Sequence, residues 1–417
     1  MKRLVILLTL GLSTSVQAQE VRLVDCWQKA EQNYPRAKDS QNYEQIASLK
    51  VANLKTAYLP RVDANAQATY QSDVTHMDLS KLPIPGLSIP SPDKDQYKLT
   101  VDLSQLIWDG GQVSASKKLE LAGLAADNMQ VAVDLYALKG RVTQLFYGIV
   151  LKKQQLKIQE ALKYDLMQKL SKTSAGVRNG AVLKANELLL KASIVNIEQE
   201  MASTESDKNG LIDALTVLVG SSISYSTDFI WDDAPSAGEQ RPEFDLFKSQ
   251  KAKIDVANDL YTAKRMPKVM AFGQLGYGKP ALNMFNNGFD SFYYVGVRAT
   301  WNIFDWNSTK RDRQTLRLQQ KMVDNRQAMF EQSQKVELAQ ESKSLSKYEN
   351  LLKTDEDLIA IREEVAKSYS VMYDNGAINA ADYVGRQTEL KQAELNREMH
   401  KVMLAFSRLN INIINGK

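Results

Sequence analysis

Residues 307–375 contain neither proline nor glycine, the two residues that most often break a helix. Apolar residues recur there at sevens. Leu316, Val323 and Phe330 form one ladder, with Met322, Met329 and Val336 beside it. After a phase slip near Glu337 the ladders resume as Leu338, Leu345, Leu352, Ile359, Ala366 and Tyr373, flanked by Leu351, Leu358, Val365 and Met372. A period of seven marks helices that wrap on neighbours. Two adjacent ladders make a stripe wide enough to touch a partner on each side. At 1.5 Å per residue such a helix is roughly 100 Å long, more than an ordinary globular domain uses.

Residues 1–18 read as a secretory signal peptide: Lys2 and Arg3, an apolar run from Leu4 to Leu12, then the small-x-small site Val16-Gln17-Ala18. No later apolar run approaches the roughly 20 residues of a membrane-spanning helix. The formal net charge of +4 excludes a strongly basic nucleic-acid binder. The single cysteine, Cys26, cannot form an internal disulfide and reads as a small apolar side chain near a helix start. The two histidines, His76 and His400, are far apart in sequence. No metal-ligand cluster, cofactor fingerprint or nucleophile–base pair stands out, so the expectation is a non-enzyme without cofactors. Gly273, Gly276 and Gly278 read as strand glycines.

The chain is written twice. The first repeat, 19–220, reads as a helix over about 25–57 broken near Tyr34-Pro35, strands 60–70 and 97–108, a long helix 112–174, a turn at 176–180 and a helix 182–219. A Pro-rich loop, 82–92, joins the strands, and an irregular linker follows at 221–242. The second repeat, 243–417, reads as a helix, strands 267–277 and 292–304, a long helix 307–373 and a helix 378–414. Pro60-Arg61-Val62 recurs as Pro267-Lys268-Val269, 207 residues later (267 − 60). Ile107-Trp108-Asp109 recurs as Ile303-Phe304-Asp305, 196 residues later (303 − 107). Asn179-Gly180-Ala181 recurs as Asn375-Gly376-Ala377 at the same spacing (375 − 179). In each half the two shorter helices together match the long one in length, as staves of a tubular wall would.

The strands alternate with period two. Val62, Ala64, Ala66 and Ala68 oppose Asp63, Asn65 and Gln67; Leu99, Val101 and Leu103 oppose Lys98, Thr100 and Asp102. In the last strand Tyr293, Val295, Val297, Ala299, Trp301 and Ile303 oppose Tyr294, Gly296, Arg298, Thr300 and Asn302. Aromatics gather near strand ends at Tyr58, Tyr70, Tyr97, Trp108, Tyr277, Phe292, Tyr293, Phe304 and Trp306. Apolar-out, polar-in strands with aromatic girdles describe a transmembrane β-barrel facing outer-membrane lipid. Four strands are too few to close one, and open edges are not tolerated in lipid, so the chain is expected to oligomerise. Two copies fill their interior with side chains, whereas three leave room for a channel.

With this duplicated plan, the Pro60 and Pro267 strand entries and two helix–turn–helix tips, the sequence resembles the TolC-like outer-membrane factor family over essentially the whole mature chain. The tips run from Gly176 to Leu188 and from Tyr373 to Tyr383, similar to the family's Y/F-x-x-G-x-x-x-x-x-D-x-L pattern. The resemblance implies a mixed α and β fold: a homotrimer whose outer-membrane β-barrel, four strands per chain, continues into a long periplasmic α-helical barrel. It implies the outer membrane of a Gram-negative bacterium, extension into the periplasm, and export of substrates delivered by an inner-membrane transporter and a periplasmic adaptor protein. Asn179, Gly180, Ala181, Asn375, Gly376 and Ala377 become adaptor-docking tips. Asp382, Asp374, Tyr373, Arg178, Lys184, Arg386 and Asn186 become gate residues, with Arg178, Lys184 or Arg386 pairing with Asp382 or Asp374 and Tyr373 adding hydrogen bonds. The first tip carries Asn186 where the family often has Asp, and Gly385 stands where some members carry a second acidic residue. Both departures weigh against a calcium-sealed gate.

The leading expectation is a passive export duct of a tripartite efflux system. A conduit for type I protein secretion uses the same fold. From a different class, a structural coiled-coil or adhesin stalk accounts for the helices but leaves the alternating strands and the duplication unexplained.

Overall fold

The computed structural model describes residues 20–75, 91–231 and 240–416. The signal peptide, His76 and most of the Pro-rich loop lie outside the described residues, as does most of the second half of the linker. In chain order the elements are β1 (Glu20–Arg22), α1 (Leu23–Asn33), α2 (Asp39–Lys55), β2 (Arg61–Tyr70), β3 (Asp95–Trp108), α3 (Gln112–Arg178), α4 (Lys184–Val219), β4 (Asp228–Ile230), α5 (Pro242–Lys264), β5 (Lys268–Lys279), β6 (Asp290–Thr300), α6 (Ser308–Asp374) and α7 (Ala380–Asn415). The duplication is strict in the helices that follow the strands: α3 and α6 have 67 residues each, and α4 and α7 have 36 each. Two compact units result. One contains the described parts of Met1–Lys38, Val131–Pro242 and Met329–Lys417; the other contains those of Asp39–Gln130 and Glu243–Ala328.

The second unit carries an antiparallel sheet in the order β2-β3-β5-β6. Its register sets Ala64, Val101, Leu275 and Tyr293 in one row and Val62, Leu103, Gly273 and Val295 in another, all on one face. Val62, Val101, Leu275, Tyr293, Val295 and Val297 are exposed, although alternation of this kind normally hides its apolar face. On the opposite face Asp102 accepts hydrogen bonds from Asn65 at 2.6 Å and from Gln274, so three strands share one carboxylate. Phe292, expected at the girdle, is instead buried on this face across from Gly276, and Phe272 sits across from Gly296. A Cβ would lie 2.2 Å from the Phe292 ring at Gly276 and 2.7 Å from the Phe272 ring at Gly296, so glycine is what makes room for each ring over the sheet. β2 and β6 are the sheet's edges.

β6 stops at Thr300, four residues short of the expected strand end. Thr300 pairs with Lys268, the first residue of β5. The next partner would be Pro267, which has no N–H to extend the ladder. Trp301 turns its indole N–H to the Arg265 carbonyl at 3.1 Å, and Trp306 and Asn307 adopt left-handed backbone.

The first unit is packed around Phe146, which meets Phe229 edge-on at 5.2 Å among Ile149, Val142, Ile212 and Leu215. Trp27 donates to Thr143 Oγ1 at 3.1 Å, and Tyr136 donates to the Ile413 carbonyl at 2.6 Å, tying α1, α3 and α7 together. Cys26 is buried in this core, and its thiol is pushed up to about 12, chiefly by that burial. A short parallel pairing of β1 with β4 covers the same core; the linker containing β4 had no strand pattern. A lone glycine matters at Gly148, where a Cβ would meet Leu211 of α4 at 3.3 Å. Its absence lets α3 and α4 approach closely.

On α6 the ladder through Val323, Ile359, Ala366 and Tyr373 is buried within the chain. Met322, Met329, Val336, Leu358 and Met372, on the neighbouring ladder, are exposed. One of the two expected faces is thus covered and the other open. Among the described residues no helix is long and apolar enough to cross a membrane.

Candidate functional site

Both helix–helix turns, in the first unit, are built identically. Gly180 and Gly376 take φ of +70° and +73° just past their helices, the left-handed position that favours glycine. Gly180 N–H bonds the Val177 carbonyl and Ala181 N–H that of Gly176; Gly376 N–H bonds the Tyr373 carbonyl and Ala377 N–H that of Met372. Asn179, Gly180, Ala181, Asn375, Gly376 and Ala377 are all exposed. α3 runs through Gly176 to Arg178, past the expected end at 174. A Cβ at Gly176 would lie 2.7 Å from Val182, so the returning chain packs where a side chain would be.

The starts of the return helices differ. Asn379 caps α7 by accepting the Asp382 N–H at 3.0 Å, whereas Leu183 precedes α4 with no side-chain cap. Asn186, in α4, compensates across the repeat: its side-chain oxygen accepts the Ala380 N–H at 3.1 Å.

Beneath the turns, α3 carries a lysine in a core position. Leu162, Leu166, Lys169 and Thr173 follow one another at helical spacing, and all four are buried. Lys169, 7% exposed, donates to Asp374 at 2.9 and 3.0 Å and to Ser370 Oγ at 2.9 Å. Its ammonium also lies over the rings of Tyr383 and Tyr373, at 4.8 and 5.7 Å, a placement favoured by the ring quadrupole. Tyr373 stacks on Tyr383 at 5.3 Å, and its hydroxyl shares a hydrogen bond with Thr173 Oγ1 at 2.9 Å. Burial pushes the Tyr383 phenol up to about 12, helped by the nearby charges of Asp165 and Asp374. The Tyr373 phenol is raised too, again mainly by burial.

The structure therefore brings Tyr373 and Asp374 into one cluster, with Asn186 joined to it through Ala380. Within the chain, Asp374 pairs with Lys169. Arg386 pairs with Glu389 at 2.8 Å and lies over the Tyr369 ring at 5.3 Å. Lys184 lies close enough to add to Lys191 in holding the Glu187 carboxyl down, behind the direct Lys191 hydrogen bond. Asp382 is exposed and, among the described residues, its carboxylate has no ion pair; nor has Arg178. Lys169 and Thr173 were not singled out by their sequence pattern. The signal was there: two polar residues in consecutive core positions of a helix.

No protein-family model matches the sequence, and no curated protein does. Solved structures do match. The outer membrane protein VceC of Vibrio cholerae aligns with 94% of this chain and 95% of its own, at TM-score 0.66 and 13% identity. The outer-membrane channel OprN aligns with 95% of this chain and 90% of its own, at TM-score 0.67 and 14% identity. The MtrE outer membrane channel of Neisseria gonorrhoeae, in its open state, covers 95% of this chain and 89% of its own, at TM-score 0.66 and 15% identity. Over nearly its whole length the chain has the fold of these outer-membrane proteins.

Proposed function

We propose that this protein is a passive outer-membrane export duct, with no chemistry of its own. One observation carries the reading: a four-stranded sheet exposes an apolar face, shares a polar network on the other, and ends in two edges that no further strand among the described residues pairs. In water such a surface invites aggregation; in lipid the apolar face is satisfied and edges must be closed by further copies. Three copies give a twelve-stranded barrel with a lumen lined by Asp63, Asn65, Asp102 and Gln274. The open Met322, Met329 and Val336 ladder of α6 is what a neighbouring copy would cover. The tips around Gly180 and Gly376 are the periplasmic end, where an adaptor protein docks and an inner-membrane transporter delivers substrate. Asp382, with no ion pair among the described residues, presents three carboxylates to the lumen there. The Lys169, Tyr373, Asp374 and Tyr383 cluster holds the second hairpin against the first and so sets the closed position.

Detergent-extracted protein from the outer-membrane fraction tests the assembly. A trimeric mass is expected for the natural sequence. Val297→Arg, on the apolar face, should lower membrane insertion by about 2–4 kcal/mol while Gln67→Arg has little effect. A monomeric mass with intact secondary structure, or equal insertion of the two variants, contradicts the reading.

A further inference from the structure

The two strand-to-helix junctions share a backbone but not a surface. Asp109 caps α3 by accepting the Val113 N–H at 2.5 Å, and Asp305 caps α6 by accepting the Thr309 N–H at 3.0 Å. The next two residues are left-handed in both: Gly110 and Gly111 at +69° and +88°, Trp306 and Asn307 at +52° and +60°. At Gly110 a Cβ would lie 2.2 Å from Met266 Cβ, so only glycine fits. At the equivalent place the second repeat holds a tryptophan, 77% exposed. A bulky residue at positive φ is strained, and Trp306 gains little burial in return. Its ring meets Phe304 edge-on at 4.8 Å, and Trp301 and Ile303 are exposed beside it in sequence. The charges differ in the same sense. Where the first repeat has Ser114 and buried Ala115, the second has exposed Lys310 and Arg311. Among the described residues neither cation has an ion-pair partner; the local acids are Asp305, engaged at the helix start, and Asp312.

Exposed tryptophan followed four and five residues later by cations with no ion pair among the described residues is the composition of a membrane–water interface, where indole sits at headgroup level and Lys or Arg meets lipid phosphate. We propose that the start of α6 is a lipid-binding site: Lys310 and Arg311 hold the headgroup of an anionic phospholipid, and Trp306 and Phe304 lie at the base of its acyl chains. The site rests on the reading of the sheet as membrane-spanning and belongs to the second repeat alone. In a trimer it recurs three times around the barrel rim and fixes the depth of the protein in the bilayer. A neighbouring copy is the other occupant to consider, but apolar contact alone does not explain why both cations accompany the aromatics.

Full-length protein is inserted into phosphatidylcholine vesicles doped with a minor fraction of bromine-labelled phosphatidylglycerol or bromine-labelled phosphatidylcholine. Tryptophan quenching is read, and the Trp306→Phe variant isolates the contribution of this site. The Trp306 signal should be quenched more strongly by brominated phosphatidylglycerol. Lys310→Gln/Arg311→Gln, which leaves Trp306 in place, should reduce that preference roughly fivefold per cation removed and leave quenching by phosphatidylcholine unchanged. Lys117→Gln/Lys118→Gln, in the first repeat, should behave as the natural sequence does. Equal quenching by the two lipids, or a preference that survives the double variant, overturns the proposal. So does absence of Trp306 quenching in protein that floats with the vesicles, the outcome if another copy covers the ring. Protein that inserts into neither vesicle overturns the membrane reading itself, and the site with it.

Discussion

Asn186 of the first hairpin caps the helix of the second: its side-chain oxygen accepts the backbone N–H of Ala380 at 3.1 Å. Asn186 is the repeat equivalent of Asp382, 196 residues earlier (382 − 186). One copy of this position thus does structural work, while the other's side chain is exposed and has no ion pair among the described residues. Ala380 is 0% exposed, so its N–H has no water to turn to. Asn186→Ala should destabilise the start of α7 by about 0.5–2 kcal/mol, read as faster hydrogen exchange at Ala380 and its neighbours. Asn186→Asp retains an acceptor at a helix N-terminus and should restore protection. Equal protection in the two variants removes the cap from the account.

The Tyr383 cluster has an alkaline signature. Its phenol is raised from 10.0 to about 12 in the folded protein, so the folded state holds the proton more tightly than the unfolded chain. The stability this contributes is fully present below about pH 10 and is lost as pH rises through about 12. The loss is on the order of 2–3 kcal/mol across that window. Unfolding free energies measured against pH should therefore fall more steeply there for the natural sequence than for Tyr383→Phe. Parallel curves exclude a buried neutral phenol.

At the first strand-to-helix junction, Gly110 and Gly111 are both left-handed but not equally constrained. Gly110→Ala meets the Met266 Cβ and the Ala263 carbonyl as well as an unfavourable φ, and should destabilise the protein by roughly 2–4 kcal/mol. Nothing lies within 4 Å of a Cβ at Gly111. Gly111→Asn, which copies Asn307, should cost less than about 1 kcal/mol, since Asn tolerates this conformation. Denaturant midpoints of the two variants check the order, and a reversal contradicts the packing described.

Local periodicity made much of this fold legible. The absence of Pro and Gly placed α6 at 307–373, against the observed Ser308–Asp374. Period-two runs located three of the four sheet strands, recurrence of the Pro60 strand entry at Pro267 located the fourth, and the repeated Asn-Gly-Ala located both turns. What was hidden depends on distant partners. β6 ends where it does because of Pro267 on the neighbouring strand, and the β1–β4 pair, three residues on each side, is too short to show a pattern. At the tip, Tyr373 and Asp374 could be named from the turn motif. Their partner Lys169 lies about 200 residues away on α3, where a lysine reads as surface unless its core position is noticed.

Single-channel recording of the purified protein in a planar bilayer tests the central claim most directly. The duct reading predicts discrete conductance steps that favour cations. It predicts a longer open time in Lys169→Met, which removes the tie from α3 to Asp374, Ser370 and the two tyrosines, and a weaker cation preference in Asp382→Ala. A bilayer that stays silent with both the natural sequence and Lys169→Met, in samples shown to be inserted, contradicts the claim that this chain forms a conducting channel.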